Sequence, residues 1–137
     1  MPKAVLDTNV LISAIVFGGI PRKILNEVIN GRLKVAISRE ILHEIQRILL
    51  GKKFKYPEEV VNVITNQLAI LCEIVSPVQR VEIVRSDPAD NRIIECALEA
   101  KAQYIITGDS HLIELKVVHR ISILTPGEFL AINPAYR

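Results

Sequence analysis

Tryptophan is absent from the 137-residue chain, and the aromatic side chains amount to three Phe and three Tyr. Any core must therefore be assembled from Ile, Leu, Val and Ala. Cysteine is nearly as scarce. Cys72 and Cys96 match no metal-ligand spacing and are too few for a disulfide framework, which fits a reducing compartment. No apolar run approaches the about 20 residues that a membrane helix needs. The longest early run, Val10 to Ile20, is interrupted by Ser13, Gly18 and Gly19. Asp7, set among apolar neighbours, also argues against a signal peptide there. Charge of one sign is missing too: seventeen basic residues face fifteen acidic ones, a net +2, too little to argue for nucleic acid by itself. Repeats, low-complexity tracts and linkers are wanting. These absences predict a cytoplasmic protein with no membrane segment, folded as one domain over residues 1–137.

What the chain does contain is an alternation of short apolar runs with longer helical patterns, the signature of an α/β domain with a mainly parallel sheet. Ala4–Leu6 read as a first strand, followed by a helix from about Thr8 to Phe17. Gly18 and Gly19 break that helix, and Pro21 suits the first turn of the next. A second strand is expected at Leu33–Ile37. Ser38 is a good N-cap for the helix in SREILHEIQRILL, which Gly51 closes. Another helix runs from Pro57 to about Cys72 and leads into a short strand at Glu73–Val75. The stretch from Val78 to Ser86 reads equally as strand or extended loop. A capped helix in DPADNRIIECALEAKA, a buried strand in YIIT, a loop with a short helix in GDSHLIEL, and a strand at Ile121–Leu124 follow. Pro126 opens a last short helix before a fraying tail.

In open α/β sheets, ligands collect at the carboxyl ends of the strands. Asp7 follows the first strand and Asp109 follows YIIT, so both stand where a site would be. With Glu44 and Asp90 they make four candidate carboxylates. Clustered carboxylates repel one another unless a cation joins them, and the chemistry that wants several together is binding of Mg²⁺ or Mn²⁺. Such a cluster suits phosphodiester hydrolysis, which needs no nucleophilic side chain.

Each acid also has a plainer reading. Asp87 can cap the late helix, with Pro88 as its first residue and Asp90 as the partner of a capping box. On a helical wheel the apolar stripe of the middle helix centres on Ile41, Ile45 and Leu49. Glu44 lies roughly 100° off that centre, so a solvated helix edge remains open. Asp109 after Gly108 suits a turn, and Asp7 can cap the helix that starts at Thr8.

The segments LDTNVLISA, SREILHEIQRIL and DPADNRIIECALEAKAQYIITGDSHL, in this order and spacing, resemble PIN-domain nucleases. The likeness is greatest to bacterial and archaeal members described as the toxins of toxin–antitoxin pairs (VapC-like), and it spans essentially the whole chain. The resemblance implies a three-layer α/β/α fold with a five-stranded parallel sheet and an acidic pocket at its carboxyl end. Residue by residue, it makes Asp7, Glu44, Asp90 and Asp109 the catalytic and metal-binding acids. Asn9 and Thr107 match supporting polar residues, and Asp87 lies close enough to serve as a cap or outer ligand. The chain departs from the family where many relatives carry a further acid two residues after Asp109, because His111 stands there. That departure leaves open whether one metal or two would bind.

With the four acids set apart, seventeen basic residues face eleven acidic ones, a surplus of +6 that could hold a phosphate backbone. Lys52, Lys53 and Lys55 form the densest basic run and Arg92 lies beside Asp90; these are the candidate substrate contacts, although a lysine run at a helix end is commonly just solvated. The reading that follows is a divalent-metal-dependent endoribonuclease acting on single-stranded or loop RNA, with RNA implied by the resemblance alone. A small antitoxin and a homodimer are implied in the same way. The rival is a PIN-fold RNA- or protein-binding module without catalysis. A phosphatase with Asp7 as nucleophile would want a second acid at position 9, where Asn9 stands.

Overall fold

The computed structural model describes residues 1–85 and 87–132. Its elements are, in chain order, β1 (Lys3–Leu6), α1 (Thr8–Val16), α2 (Gly19–Ile29), β2 (Lys34–Ser38), α3 (Arg39–Leu50), α4 (Glu58–Leu71), β3 (Glu73–Val75), α5 (Pro88–Ala100), β4 (Tyr104–Ile106), α6 (Ser110–Ile113), β5 (Val117–Val118), β6 (Ile121–Leu124) and α7 (Pro126–Ile132). The sheet order is β3-β2-β1-β4-β6-β5. The first five of these strands pair in parallel, in register Val5 with Ala36 and with Ile105, Ile37 with Ile74, and Ile105 with Ile123. β1, β2 and β4 are nearly continuous apolar runs, as befits strands covered by helices on both faces. The α/β/α architecture and the five parallel strands are those the sequence predicts.

A sixth strand, β5, was not foreseen. It pairs antiparallel on the edge strand β6, and two residues are too few to show any periodicity. Its turn was hidden as well, because His119 and Arg120 adopt φ of 46° and 68°. Hairpin turns of that geometry usually announce themselves with Asn-Gly.

Local chemistry explains most boundaries. Gly18 and Gly19, at φ of 85° and 65°, turn the chain between α1 and α2 by 95°. Among the described residues no single helix is long and apolar enough to cross a membrane. The Ser38 hydroxyl accepts from the Ile41 N–H at 3.3 Å, and α3 buries Ile41, Ile45 and Leu49, the stripe read from the wheel. Asp87 caps α5 by accepting from the Ala89 N–H at 3.0 Å, with Pro88 in the first turn. Capping of this kind contributes about 1 kcal/mol.

Residues 78–85 form no strand; instead side chains of α5 satisfy their backbone donors. The Val81 N–H donates to Glu95 at 2.8 Å, the Val84 N–H to Asn91 at 2.8 Å, and the Val78 N–H to Glu99 at 3.1 Å. Ser86, the end of that stretch, and the tail expected to fray both lie outside the described residues. The core is aliphatic, with Phe129 the one aromatic among the buried hydrophobic residues described. α5 packs across β1, β2, β3 and β4, while α2 packs against both α1 and α7. Cys72 and Cys96 are buried free thiols, and burial pushes them up to about 11 and about 12 respectively.

Candidate functional site

β1 occupies the middle of the sheet. The chain leaves it for β2 on one side, and returns much later to β4 on the other. A reversal of that kind opens a crevice at the carboxyl ends of the two central strands. Asp7 directly follows β1 and Thr107 directly follows β4. The Asp7 N–H donates to Ile106 O at 2.9 Å and the Thr107 N–H to Leu124 O at 2.9 Å, so the sheet ladder itself positions both residues.

Thr107 is wholly buried and links two acids. Its hydroxyl donates to Asp7 Oδ2 at 2.7 Å and accepts from the Asp109 N–H at 2.9 Å. A hydroxyl carries one proton. Because the Asp109 N–H can only donate, the proton on Thr107 is directed at Asp7. Asp7 occupies the N-cap position of α1 yet makes no side-chain capping bond there. Burial raises its carboxyl above the ordinary range, helped by the charges of Asp109 and Asp87, while the Thr107 hydroxyl and the Thr8 N–H pull it down.

Asp90 sits in the first turn of α5, 4% exposed. Its side chain does not close a capping box, and Oδ2 is buried with no hydrogen-bond partner among the described residues. Burial first, then the charges of Asp109, Asp87 and Asp7, push this carboxyl up to about 7, with His111 acting in the opposite direction. Asp109 caps the short α6: its Oδ1 accepts from the His111 N–H at 2.7 Å, and His111 Nδ1 lies 3.4 Å from the same oxygen. Asp90, Asp109 and His111 offer one ligand atom each, all within 4.8 Å of one another.

The remaining predicted residues divide. Asp87 caps α5 and is also near enough to perturb Asp7 and Asp90. Asn9 is exposed on the first turn of α1. Glu44 stands across a cleft of about 250 Å³ whose walls include Thr8, Pro88, Ala89 and Arg92. There its carboxylate takes both oxygens to Arg47, at 2.9 and 3.4 Å. Arg92 reaches Glu95 at 2.9 Å, and its buried Nε has no hydrogen-bond partner among the described residues. The lysine run is not brought to the acids. Phe54, beside Lys53 and Lys55, packs on Phe17 at 6.1 Å, at the far end of α1 and roughly 14 Å of helix from Asp7.

A comparison within α5 indicates what the cluster is built for. Glu95 is as deeply buried as Asp90, at 1% exposed, and it went unnoticed in the sequence. It is fully answered by the Val81 N–H at 2.8 Å, Arg80 at 3.1 Å and Arg92 at 2.9 Å. Asp90, five residues earlier, has no such donor to Oδ2 among the described residues and faces other carboxylates. A buried anionic oxygen without a partner costs several kcal/mol as a rough rule. A proton meets that cost, which is why the carboxyl rises to about 7; a hard divalent cation would meet it too, and three carboxylates with a neighbouring imidazole fit such an ion. His111 was legible only as a departure from a pattern, since nothing in the linear chain places it beside Asp90.

Fold and cluster together define a class: open parallel α/β proteins with an acidic pocket at the sheet's switch point. Within it, a family model described as PIN domain matches residues 3–111, and the chain belongs to the PIN-domain family. It is 35% identical over 140 residues to an uncharacterized protein of Methanocaldococcus jannaschii, covering 93% of this chain and 89% of that one. Its fold is similar to a chain of VapBC2 from Rickettsia felis, solved bound to a DNA fragment from their promoter. That match has a TM-score of 0.64 and 18% identity, over 88% of this chain and 96% of that chain.

Proposed function

We propose that the protein is a divalent-metal-dependent endoribonuclease that hydrolyses phosphodiester bonds in single-stranded or loop RNA, acting as the toxin of a toxin–antitoxin pair. The observation that carries this reading is the buried, unpartnered Oδ2 of Asp90 among Asp7, Asp87 and Asp109. Asp7, Asp90 and Asp109 hold Mg²⁺ or Mn²⁺, and Glu44, on the neighbouring cleft beside Thr8, Pro88 and Ala89, joins the set when substrate and ion are bound. Thr107 keeps Asp7 and the Asp109 backbone in one arrangement. Arg92 meets a substrate phosphate in the cleft, and Lys52, Lys53 and Lys55 meet the backbone of a longer strand. A bound divalent ion would supply Lewis-acid polarisation of the scissile phosphate and a water acidified for attack.

RNA as substrate and an antitoxin as partner come from family resemblance. Support for a protein partner lies in an apolar hollow of about 540 Å³ lined by Ile15, Ile29, Val63, Ile70 and Leu71; Ile70 there is 82% exposed. A small antitoxin and a second copy of the chain are both expected to use such surfaces.

The test is cleavage of single-stranded RNA with Mg²⁺ or Mn²⁺ by wild type, Asp7→Asn and Asp90→Asn. Activity in the wild type alone is expected; equal cleavage by all three would sink the assignment. Calorimetric titration separates catalysis from a binding module, because absence of divalent-ion binding near millimolar concentration favours the module.

A further inference from the structure

We infer that His111 is a nitrogen ligand of the pocket ion and that it tilts the site from Mg²⁺ towards a transition ion such as Mn²⁺. This rests on the metal-dependent reading above and concerns a position where the chain departs from its family's acid. His111 Nδ1 is 3.4 Å from Asp109 Oδ1, long for a hydrogen bond. In an octahedral site with bonds of about 2.1–2.2 Å, neighbouring ligands stand about 3 Å apart and opposite ones about 4.3 Å. The spacing of this pair, and the 4.8 Å envelope that also takes in Asp90, are close to that pattern. The His111 N–H donates to Asp109 Oδ1 at 2.7 Å, so the half-exposed ring and the carboxylate emerge side by side from the start of α6. The third member of the set is a buried carboxylate with an oxygen that no other described residue answers.

The chemistry follows from the donor set. Imidazole suits first-row transition ions, whereas Mg²⁺ prefers oxygen and keeps its waters. A neutral nitrogen in place of an acid also spares a pocket that already gathers Asp7, Asp87, Asp90 and Asp109 a further negative charge. That loss of charge weakens binding of a hard ion, which depends on electrostatics. The imidazole compensates only for an ion able to bond to nitrogen.

The experiment uses the full chain stripped of metal. Mg²⁺ and Mn²⁺ are titrated separately by calorimetry into wild type and His111→Asp, and the Mn²⁺ complexes are examined by pulsed electron paramagnetic resonance for coupling to nitrogen. Nitrogen coupling is expected in the wild type and not in the variant. The preference for Mn²⁺ over Mg²⁺ should fall by about 10- to 100-fold in His111→Asp. Mn²⁺ bound to the wild type without nitrogen coupling overturns this inference and leaves the nuclease reading standing; that arm does not depend on the variant folding. An unchanged preference in a folded His111→Asp overturns it equally. Failure of both ions to bind the wild type near millimolar concentration overturns the inference together with the metal-dependent function.

Discussion

Replacing Asp90 by Asn should stabilise the metal-free protein and handicap the metal-bound one. The Asp90 carboxyl moves from an ordinary 3.8 to about 7, chiefly because it is buried and secondly because Asp109, Asp87 and Asp7 face it. At about 1.36 kcal/mol per pH unit this is worth about 4 kcal/mol once the group is fully ionised. That figure is a ceiling, because the surroundings of a buried charge relax and admit water, and about 1–2 kcal/mol is expected. The sign is set by proton linkage. Between pH 3.8 and about 7 the folded chain retains a proton that the unfolded chain has lost, so stability falls as pH rises through that window. Below it the carboxyl is neutral in both states and costs nothing; above it the whole penalty is present. Asn carries no charge at any pH. In chelator, Asp90→Asn should therefore match wild type near pH 4 and exceed it near pH 8, by about 3–8 °C in Tm for a chain of this size. With Mn²⁺ at about a hundred times its dissociation constant, wild type should gain about 2.7 kcal/mol and the variant much less, reversing the order. Denaturation scans at the two pH values, with and without metal, measure all of this. A variant less stable than wild type in chelator at pH 8 would refute the reasoning, as would an advantage of equal size at pH 4.

Three further outcomes are expected. Thr107→Val preserves shape but removes the donor to Asp7 and the acceptor for the Asp109 N–H; urea titration should show a loss of about 1–3 kcal/mol, with weakened metal binding, and an unaltered midpoint would count against the relay. Glu95→Ala unpins Val81 and strips Arg80 and Arg92 of their shared carboxylate; a loss of about 2–4 kcal/mol is expected, with faster hydrogen exchange at the Val81 amide, and unchanged exchange would show that the segment holds itself. Cys72 and Cys96, whose thiols burial lifts to about 11 and about 12, should resist a thiol reagent at pH 8 until the protein unfolds, and rapid native-state labelling of both would contradict their burial.

Much of the architecture was legible because its signals are local. The 3.6-residue spacing of Ile41, Ile45 and Leu49 marked the buried face of α3, and Ser38 and Asp87-Pro88 marked helix starts by side-chain chemistry that acts within three residues. The acids at strand ends could be placed by the geometry of parallel sheets. What stayed hidden depends on contacts between distant segments or on elements too short to have a period. β5 is such an element. Glu95 and Arg80 meet across an irregular stretch, and no spacing rule connects them. Asp90 and His111 meet only because α5 and the loop after β4 end at the same edge of the sheet. The pairing of Glu44 with Arg47, three residues apart on one helix, was within reach of the sequence, and it shows that the Glu44 carboxylate has an alternative partner to a metal.

The hydrogen bond from Thr107 to Asp7 spans one hundred positions of the chain. A ribosome releases Asp7 one hundred residues before Thr107. Until then β1 can find β2, its neighbour on one side, but the other half of the crevice does not yet exist. Asp90 comes out before Asp109 and His111, so the proposed ligand trio too is complete only once α6 has emerged. The proposed cation site is thus withheld by chain order: a nascent chain ending short of α6 would carry Asp7, Glu44 and Asp90 without Asp109 and His111.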